Sequence, residues 1–267
     1  MILVAVTLVA ATAMASCSCS GKYSSETIVI SDYSGAQNYR DVKSGDRVER
    51  DMKVDSFTSV NQSVAMTITY VQAPQCRLVL AGDAKEVDRY QAEVKKGVLS
   101  IKAKKDRNIV KGRTPEVKAY LYAPSLEHIV LSGAGDLCMP EAVTLDQSLS
   151  IMLSGAGDLE VKNLKVKGLS VTLSGAGDLN IDHLTASEDV YMTVSGAGDM
   201  EGNIKARDIH ATVSGAGDMD ITVDCRLLEA VVSGMGDMKV KGKCQSSRTV
   251  TAPMASMNMS KLKVLKK

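Results

Sequence analysis

From Ser132 onward, apolar and polar residues alternate in short runs, and each run is broken by the same kind of six-residue insert. Ser150-Ile151-Met152-Leu153 leads in to one insert and Glu160-Val161-Lys162 leads out of it, with Leu153, Leu159 and Val161 on one parity. The same parity carries Leu173, Val194, Val213 and Val232 before later inserts and Leu179, Met200, Met219 and Met238 at their ends. A period of two predicts strands. No stretch of this half carries an apolar face at helical spacing.

The inserts are copies of one motif: Ser132-Gly133-Ala134-Gly135-Asp136, Ser154-Gly155-Ala156-Gly157-Asp158, Ser174-Gly175-Ala176-Gly177-Asp178, Ser195-Gly196-Ala197-Gly198-Asp199, Ser214-Gly215-Ala216-Gly217-Asp218 and Ser233-Gly234-Met235-Gly236-Asp237, each followed by Leu or Met. Their starts are 22, 20, 21, 19 and 19 residues apart. Ala252-Pro253-Met254-Ala255-Ser256-Met257 is a decayed seventh copy. A strand-turn-strand unit of this length cannot bury its own apolar side, so successive units must stack. The pattern predicts an all-β parallel β-solenoid with coils of about 20 residues stacked about 4.8 Å apart. Each motif position then becomes a ladder along the axis, with the paired glycines where one coil lies close against the next.

Residues 47–131 also alternate, less regularly, at Val64 to Tyr70, Gly97 to Lys102 and Val117 to Tyr122. They are expected to continue the solenoid or to cap its N-terminal end. Asp83 to Glu93 reads as a helical turn or loop, and Lys102 to Arg113 as a polar, basic loop. The resulting organisation is a leader over 1–16, a tether and first strand over 17–46, an N-terminal β region over 47–131, the repeat solenoid over 132–260 and a basic tail over 261–267.

Composition narrows the core. The chain has 267 residues, no Trp, one Phe and fourteen Met, so thin apolar layers must be filled by aliphatic residues and methionine. Tyr191 is the only aromatic residue after Tyr122. A formal charge of +1 offers no global field for nucleic acid.

The first fifteen residues are uncharged and apolar or small, too short for a membrane span and suited to a signal-peptide core. They end at Met14-Ala15-Ser16-Cys17, which resembles the lipobox of bacterial lipoproteins. On that reading Cys17 carries the lipid, with Cys19 as the alternative acceptor and a plain secretory signal as the alternative leader. The chain is then exported and held by its N-terminus at the bacterial cell envelope, with the outer membrane the expected site. The membrane is then its one assigned partner.

Six cysteines show no zinc-like spacing. Cys225 and Cys244 each lie eleven residues past a motif serine, so they share a phase in consecutive coils. Their spacing is within disulfide reach, while parallel stacked side chains point the same way, which leaves a bond or two reduced thiols open. Cys76 and Cys138 are read as free.

The six aspartates of the motif would repel by about 0.9 kcal/mol per adjacent pair in water and about 3.5 kcal/mol at an effective dielectric of 20. Backbone N–H donors are the expected compensation, ahead of calcium. His128, His183 and His210 read as falling at different phases of the repeat. No catalytic residue, metal site or cofactor is assigned, because the acids are equivalent repeats and the segments between motifs are too short and even to wall a cleft.

Tyr70-Val71-Gln72-Ala73-Pro74, Gly97-Val98-Leu99-Ser100-Ile101, Ala123-Pro124-Ser125-Leu126-Glu127-His128-Ile129 and the serial motif together resemble the putative auto-transporter adhesin, head GIN domain family of bacterial exported proteins. The resemblance runs from about Phe57 to the C-terminus. It implies a β-helical or β-roll fold, a lipoprotein context and an adhesive role, and it brings no catalytic residues. Three function classes follow: a non-enzymatic adhesin-like or surface interaction module with an unidentified partner, a small-ligand, lipid or glycan-binding envelope protein, and a β-helical polysaccharide lyase or hydrolase. The basic tail, Lys261, Lys263, Lys266 and Lys267, suits anionic headgroups or glycans in the second class and a solvated chain end otherwise. A single chain and a homo-oligomer both remain open.

Overall fold

The computed structural model describes residues 47–104 and 117–265. The leader, Cys17, Cys19, the tether, most of the basic loop, Lys266 and Lys267 lie outside them. The described chain begins with β1 (Arg47–Met52), β2 (Ser59–Gln62), β3 (Thr67–Gln72) and β4 (Arg77–Asp83). A single helical turn, α1 (Ala84–Val87), follows; the Asp83 carboxylate caps it by accepting from the Lys85 N–H at 2.9 Å. Then come β5 (Tyr90–Lys95), β6 (Val98–Ala103), β7 (Lys118–Ala123), β8 (His128–Leu131) and β9 (Leu137–Thr144).

Beyond β9 every coil has one form. A five- or six-residue strand leads into the motif turn, and a longer strand leaves it. The lead-in strands are β10 (Leu149–Leu153), β12 (Leu169–Leu173), β14 (Val190–Val194) and β16 (Asp208–Val213), and the lead-out strands are β11 (Leu159–Val166), β13 (Leu179–Ala186) and β15 (Met200–Lys205). In the last coils the second corner straightens, giving the continuous β17 (Met219–Val232) and β18 (Asp237–Thr251), and β19 (Ser256–Val264) closes the stack.

Two rows of hydrogen-bonded strands result. One runs β5, β6, β2, β8, β10, β12, β14, β16 and then the second halves of β17 and β18. The other runs β1, β4, β7, β3, β9, β11, β13, β15, the first halves of β17 and β18, and β19. All pairs are parallel except β1–β4, β4–β7 and β5–β6, which are antiparallel and cap the N-terminal end. This is the expected all-β parallel solenoid, and the N-terminal region both continues and caps it.

The inward parity forms the core. Leu131, Leu153, Leu173, Val194, Val213 and Val232 stack in one ladder, and Leu137, Leu159, Leu179, Met200, Met219 and Met238 in another, all buried. The unequal coil lengths leave these ladders in register. β9 takes up its surplus residue in a bulge opposite Val161 and Asn163, and β13 takes up a second between Ile181 and Leu184, opposite Gly202 and Ile204.

The turns stack through glycine. A Cβ on Gly155 would lie 1.7 Å from the Gly133 carbonyl oxygen, and one on Gly157 would lie 2.1 Å from that of Gly135. The same contact recurs up the stack, so the first motif glycine and the second are both required by close backbone approach rather than by backbone conformation. Ser63 to Thr67 fills the coil beneath Ser132: Ser132 N–H donates to Gln62 O at 2.9 Å, and Gly135 packs on Met66. The seventh copy closes in a tight turn, with Ala255 N–H donating to Ala252 O at 3.1 Å, and places Ser256 opposite Asp237.

Candidate functional site

The motif ridge is chemically regular. Each of the first five motif aspartates accepts, at Oδ1, the backbone N–H of the aspartate in the next coil. Asp136 takes that of Asp158 at 3.1 Å, Asp158 that of Asp178 at 2.9 Å, Asp178 that of Asp199 at 2.9 Å, Asp199 that of Asp218 at 2.8 Å and Asp218 that of Asp237 at 2.8 Å. The carboxylate row is therefore compensated by backbone dipoles, each bond stitching two coils together. The motif serines face outward, and Ser132, Ser174 and Ser195 also donate to carbonyls of the preceding coil. The ridge is a structural seam with no singular residue along it.

Cys225 and Cys244 are register partners in adjacent coils, as their shared phase implies. Both are buried and free in the structure. Parallel neighbours in register hold their side chains side by side along one direction, which suits packing and not the crossed geometry of a bond. Burial, with Cys244 alongside, pushes the Cys225 thiol up to about 12. Cys76 is also free, but Cys138 is not: it is buried and disulfide-bonded, which corrects its reading as a free thiol. Spacing within the repeats could not reveal that bond, because Cys76, Cys225 and Cys244 are all free and leave no partner among the described residues.

The outward face of the β8–β18 row carries the least repetitive chemistry. One column reads His128, Ser150, Ser170, Tyr191, His210, Glu229 and Arg248 from coil to coil. The reading of the three histidines at different phases is thereby corrected: His128 and His210 share a column, four coils apart. Each member of the column lies four residues before its motif or decayed motif, a signal that was present in the repeat arithmetic. Tyr191 is 48% exposed, and its ring stacks on that of His210 with centroids 4.5 Å apart and planes within 5°. His210 Nδ1 lies 2.9 Å from Glu229 Oε2, and Arg248 Nη1 donates to Glu229 Oε1 at 3.0 Å. At the adjoining corner Arg207 Nε donates to Asp189 Oδ1 at 2.9 Å, and that hydrogen bond holds the Asp189 carboxyl below the usual range.

The opposite face is charged toward its C-terminal end. Lys239 and Lys241 both bind Asp220, at 2.8 and 3.0 Å, and Lys243 lies 3.3 Å from Asp224. Burial raises the Asp220 carboxyl, but the two lysine hydrogen bonds outweigh it and hold it below its ordinary value. Lys261 and Lys263 extend the lysine columns into β19. At the N-terminal end a shallow depression is lined by Val54, Phe57, Pro74, Cys76 and Pro124, with no charged side chain among its lining residues. Among the described residues, no group of three His, Cys, Asp or Glu is placed to hold a metal ion, and no helix is long and apolar enough to cross a membrane.

Fold and surface define a two-row parallel β-solenoid whose chemistry lies on outward columns. The chain belongs to the putative auto-transporter adhesin, head GIN domain family, whose model matches residues 56–243 and 192–266. Solved structures share the fold. A putative adhesin from Bacteroides fragilis matches with a TM-score of 0.74 and 24% identity, over 80% of this chain and 97% of its own. A putative lipid binding protein from Parabacteroides distasonis matches with a TM-score of 0.64 and 16% identity, over 83% and 98%. A putative adhesin from the same organism also scores 0.64, at 17% identity, over 80% and 97%. No curated protein matches the sequence.

Proposed function

We propose that this protein is a non-enzymatic, exported interaction module, adhesin-like in role and held at the bacterial cell envelope by a lipid on Cys17. The observation that carries the reading is the solenoid itself. It holds a rigid, outward-facing array in which side chains from successive coils form continuous columns, a surface suited to extended contacts. The leader over 1–16, Cys17 directly after it and the polar residues that follow support envelope anchoring, and the family supports adhesion. The equivalence of the six motif aspartates supports a non-enzymatic role, since an acid and a base for glycan cleavage need unlike environments.

Beads coated with the full chain test the reading directly against surfaces bearing extracellular matrix proteins or glycans. Saturable retention above beads coated with an unrelated protein is expected. Retention at the level of the unrelated protein on every surface contradicts the reading. A lipid- or ligand-binding role is the second reading, favoured by the lysine columns that end in Lys261 and Lys263. Anionic vesicles in the same assay separate it from adhesion.

A further inference from the structure

We propose that Tyr191 is the stacking wall of a carbohydrate-binding site on the outward face of the β8–β18 row, and that the site takes one pyranose ring of a neutral glycan. The inference deepens the interaction-module reading and rests on it. Tyr191 breaks the pattern of its column, where the two preceding coils carry only serine. One face of its ring is covered by His210 in parallel stacking, so the ring normal runs along the solenoid axis. The other face looks over Ser170 and Ser150 toward His128, three coils and about 14 Å away. That span leaves room for one sugar ring standing over the two serines, its C–H face against the tyrosine and its hydroxyls against Ser170 and Ser150. Half-exposed Met152 and partly exposed Thr172, two residues on in the same strands, border the slot.

The wall is rigid before any ligand arrives. His210 backs Tyr191, Glu229 holds His210 at 2.9 Å, and Arg248 holds Glu229 at 3.0 Å. Each member fixes the next, which reduces the ordering cost of binding. The surroundings select the ligand class. β12 and β14 are paired on both sides, so no strand edge is open here for a peptide to join. The nearby cations, Arg248 and Arg207, are already paired with Glu229 and Asp189, which disfavours phosphate or sulfate. What remains for recognition is one aromatic face and a floor of hydroxyls, the chemistry of a sugar ring.

The test is saturation-transfer NMR on the full chain in detergent with cellotriose, chitotriose, galactotriose and mannotriose at about 10 mM, suited to millimolar affinity. At least one sugar is expected to receive saturation on the protons of a single ring. Tyr191→Ala is expected to weaken that binding about tenfold and Tyr191→Phe less than about threefold. Ser170→Arg fills the slot without touching the wall and is expected to abolish binding. Tyr191 and Ser170 are exposed, so circular dichroism should be unchanged in all three. The proposal is overturned by no transfer to any of the four sugars, or by transfer that survives both Tyr191→Ala and Ser170→Arg. It is equally overturned if Tyr191 instead mediates binding to vesicles. Coated beads that keep their retention with Tyr191→Ala refute this site and leave the interaction-module reading standing.

Discussion

Gly177→Ala tests the packing of the motif turns. A Cβ at this position would lie 2.0 Å from the Gly157 carbonyl oxygen and 2.7 Å from its carbonyl carbon, both backbone atoms of the preceding coil. Ordinary contact begins at 3.4 Å, so the two turns must part by about 1.4 Å. Such a displacement breaks two bonds that cross this gap, Ala176 N–H to Gly155 O at 3.1 Å and Asp178 N–H to Asp158 Oδ1 at 2.9 Å. Overpacking costs about 1–3 kcal/mol and each lost hydrogen bond about 1 kcal/mol, which together predict a loss of about 3–5 kcal/mol. The molecule supplies its own control. Met235 occupies in the sixth copy the slot held by Ala176, and its side chain is 69% exposed, so Ala176→Met should change stability by less than about 0.5 kcal/mol. Urea unfolding followed by circular dichroism measures both variants. Because stacked repeats need not unfold in one step, hydrogen exchange at the Ala176 and Asp178 amides gives a local reading. Both amides should lose protection in Gly177→Ala alone. A Gly177→Ala protein as stable and as protected as Ala176→Met would refute the stacking argument.

Removing an acceptor from the ridge, as in Asp178→Ala, strips the Asp199 N–H of its partner and should cost about 0.5–1.5 kcal/mol, while Asp178→Asn keeps an oxygen there and should cost less; thermal unfolding compares them. Because the ridge oxygens are held by backbone donors, EDTA and millimolar calcium should give melting temperatures within about 10 °C of each other, and a larger shift would show that cations carry the ladder. Asp189 and Asp220 have carboxyls held below their unfolded value near 3.9, so their contribution is complete above about pH 4 and fades as pH falls through the folded values. Lys239→Gln with Lys241→Gln should flatten the acid limb of the stability profile, and an unchanged limb would contradict the pairing. In the native chain Cys76 should react with a thiol reagent before Cys225 and Cys244, which should label only on unfolding; a Cys225–Cys244 peptide in a non-reducing map would contradict the two free thiols.

The coils were legible because the repeat supplies both the period and the register. Once Ser132 to Asp237 is written as stacked copies, the inward Leu and Met ladders follow, and so does the opposition of Cys225 to Cys244. The antiparallel cap was not legible: Asp83 to Glu93, read as a helical turn or loop, holds α1 but runs on into β5 from Tyr90, and β4 buries Leu78, Val79 and Leu80 in succession, so neither strand shows a clean period of two. The first coil hid for a similar reason. Ser63 to Thr67 fills the motif position but lacks both glycines, and the cap strands separate it from Ser132 by 69 residues. The Tyr191 column needed one further step, counting back four residues from each motif start, and its two locking bonds depend on side-chain geometry that no spacing contains.

The central claim, that this chain is an adhesive module at the cell envelope, is tested most directly by adherence of living cells. Cells lacking the gene should adhere several-fold less than wild type to matrix- or glycan-coated surfaces, and the full chain supplied in trans should restore adherence. Equal adherence of deleted and wild-type cells, with the chain demonstrably at the wild-type surface, would contradict it.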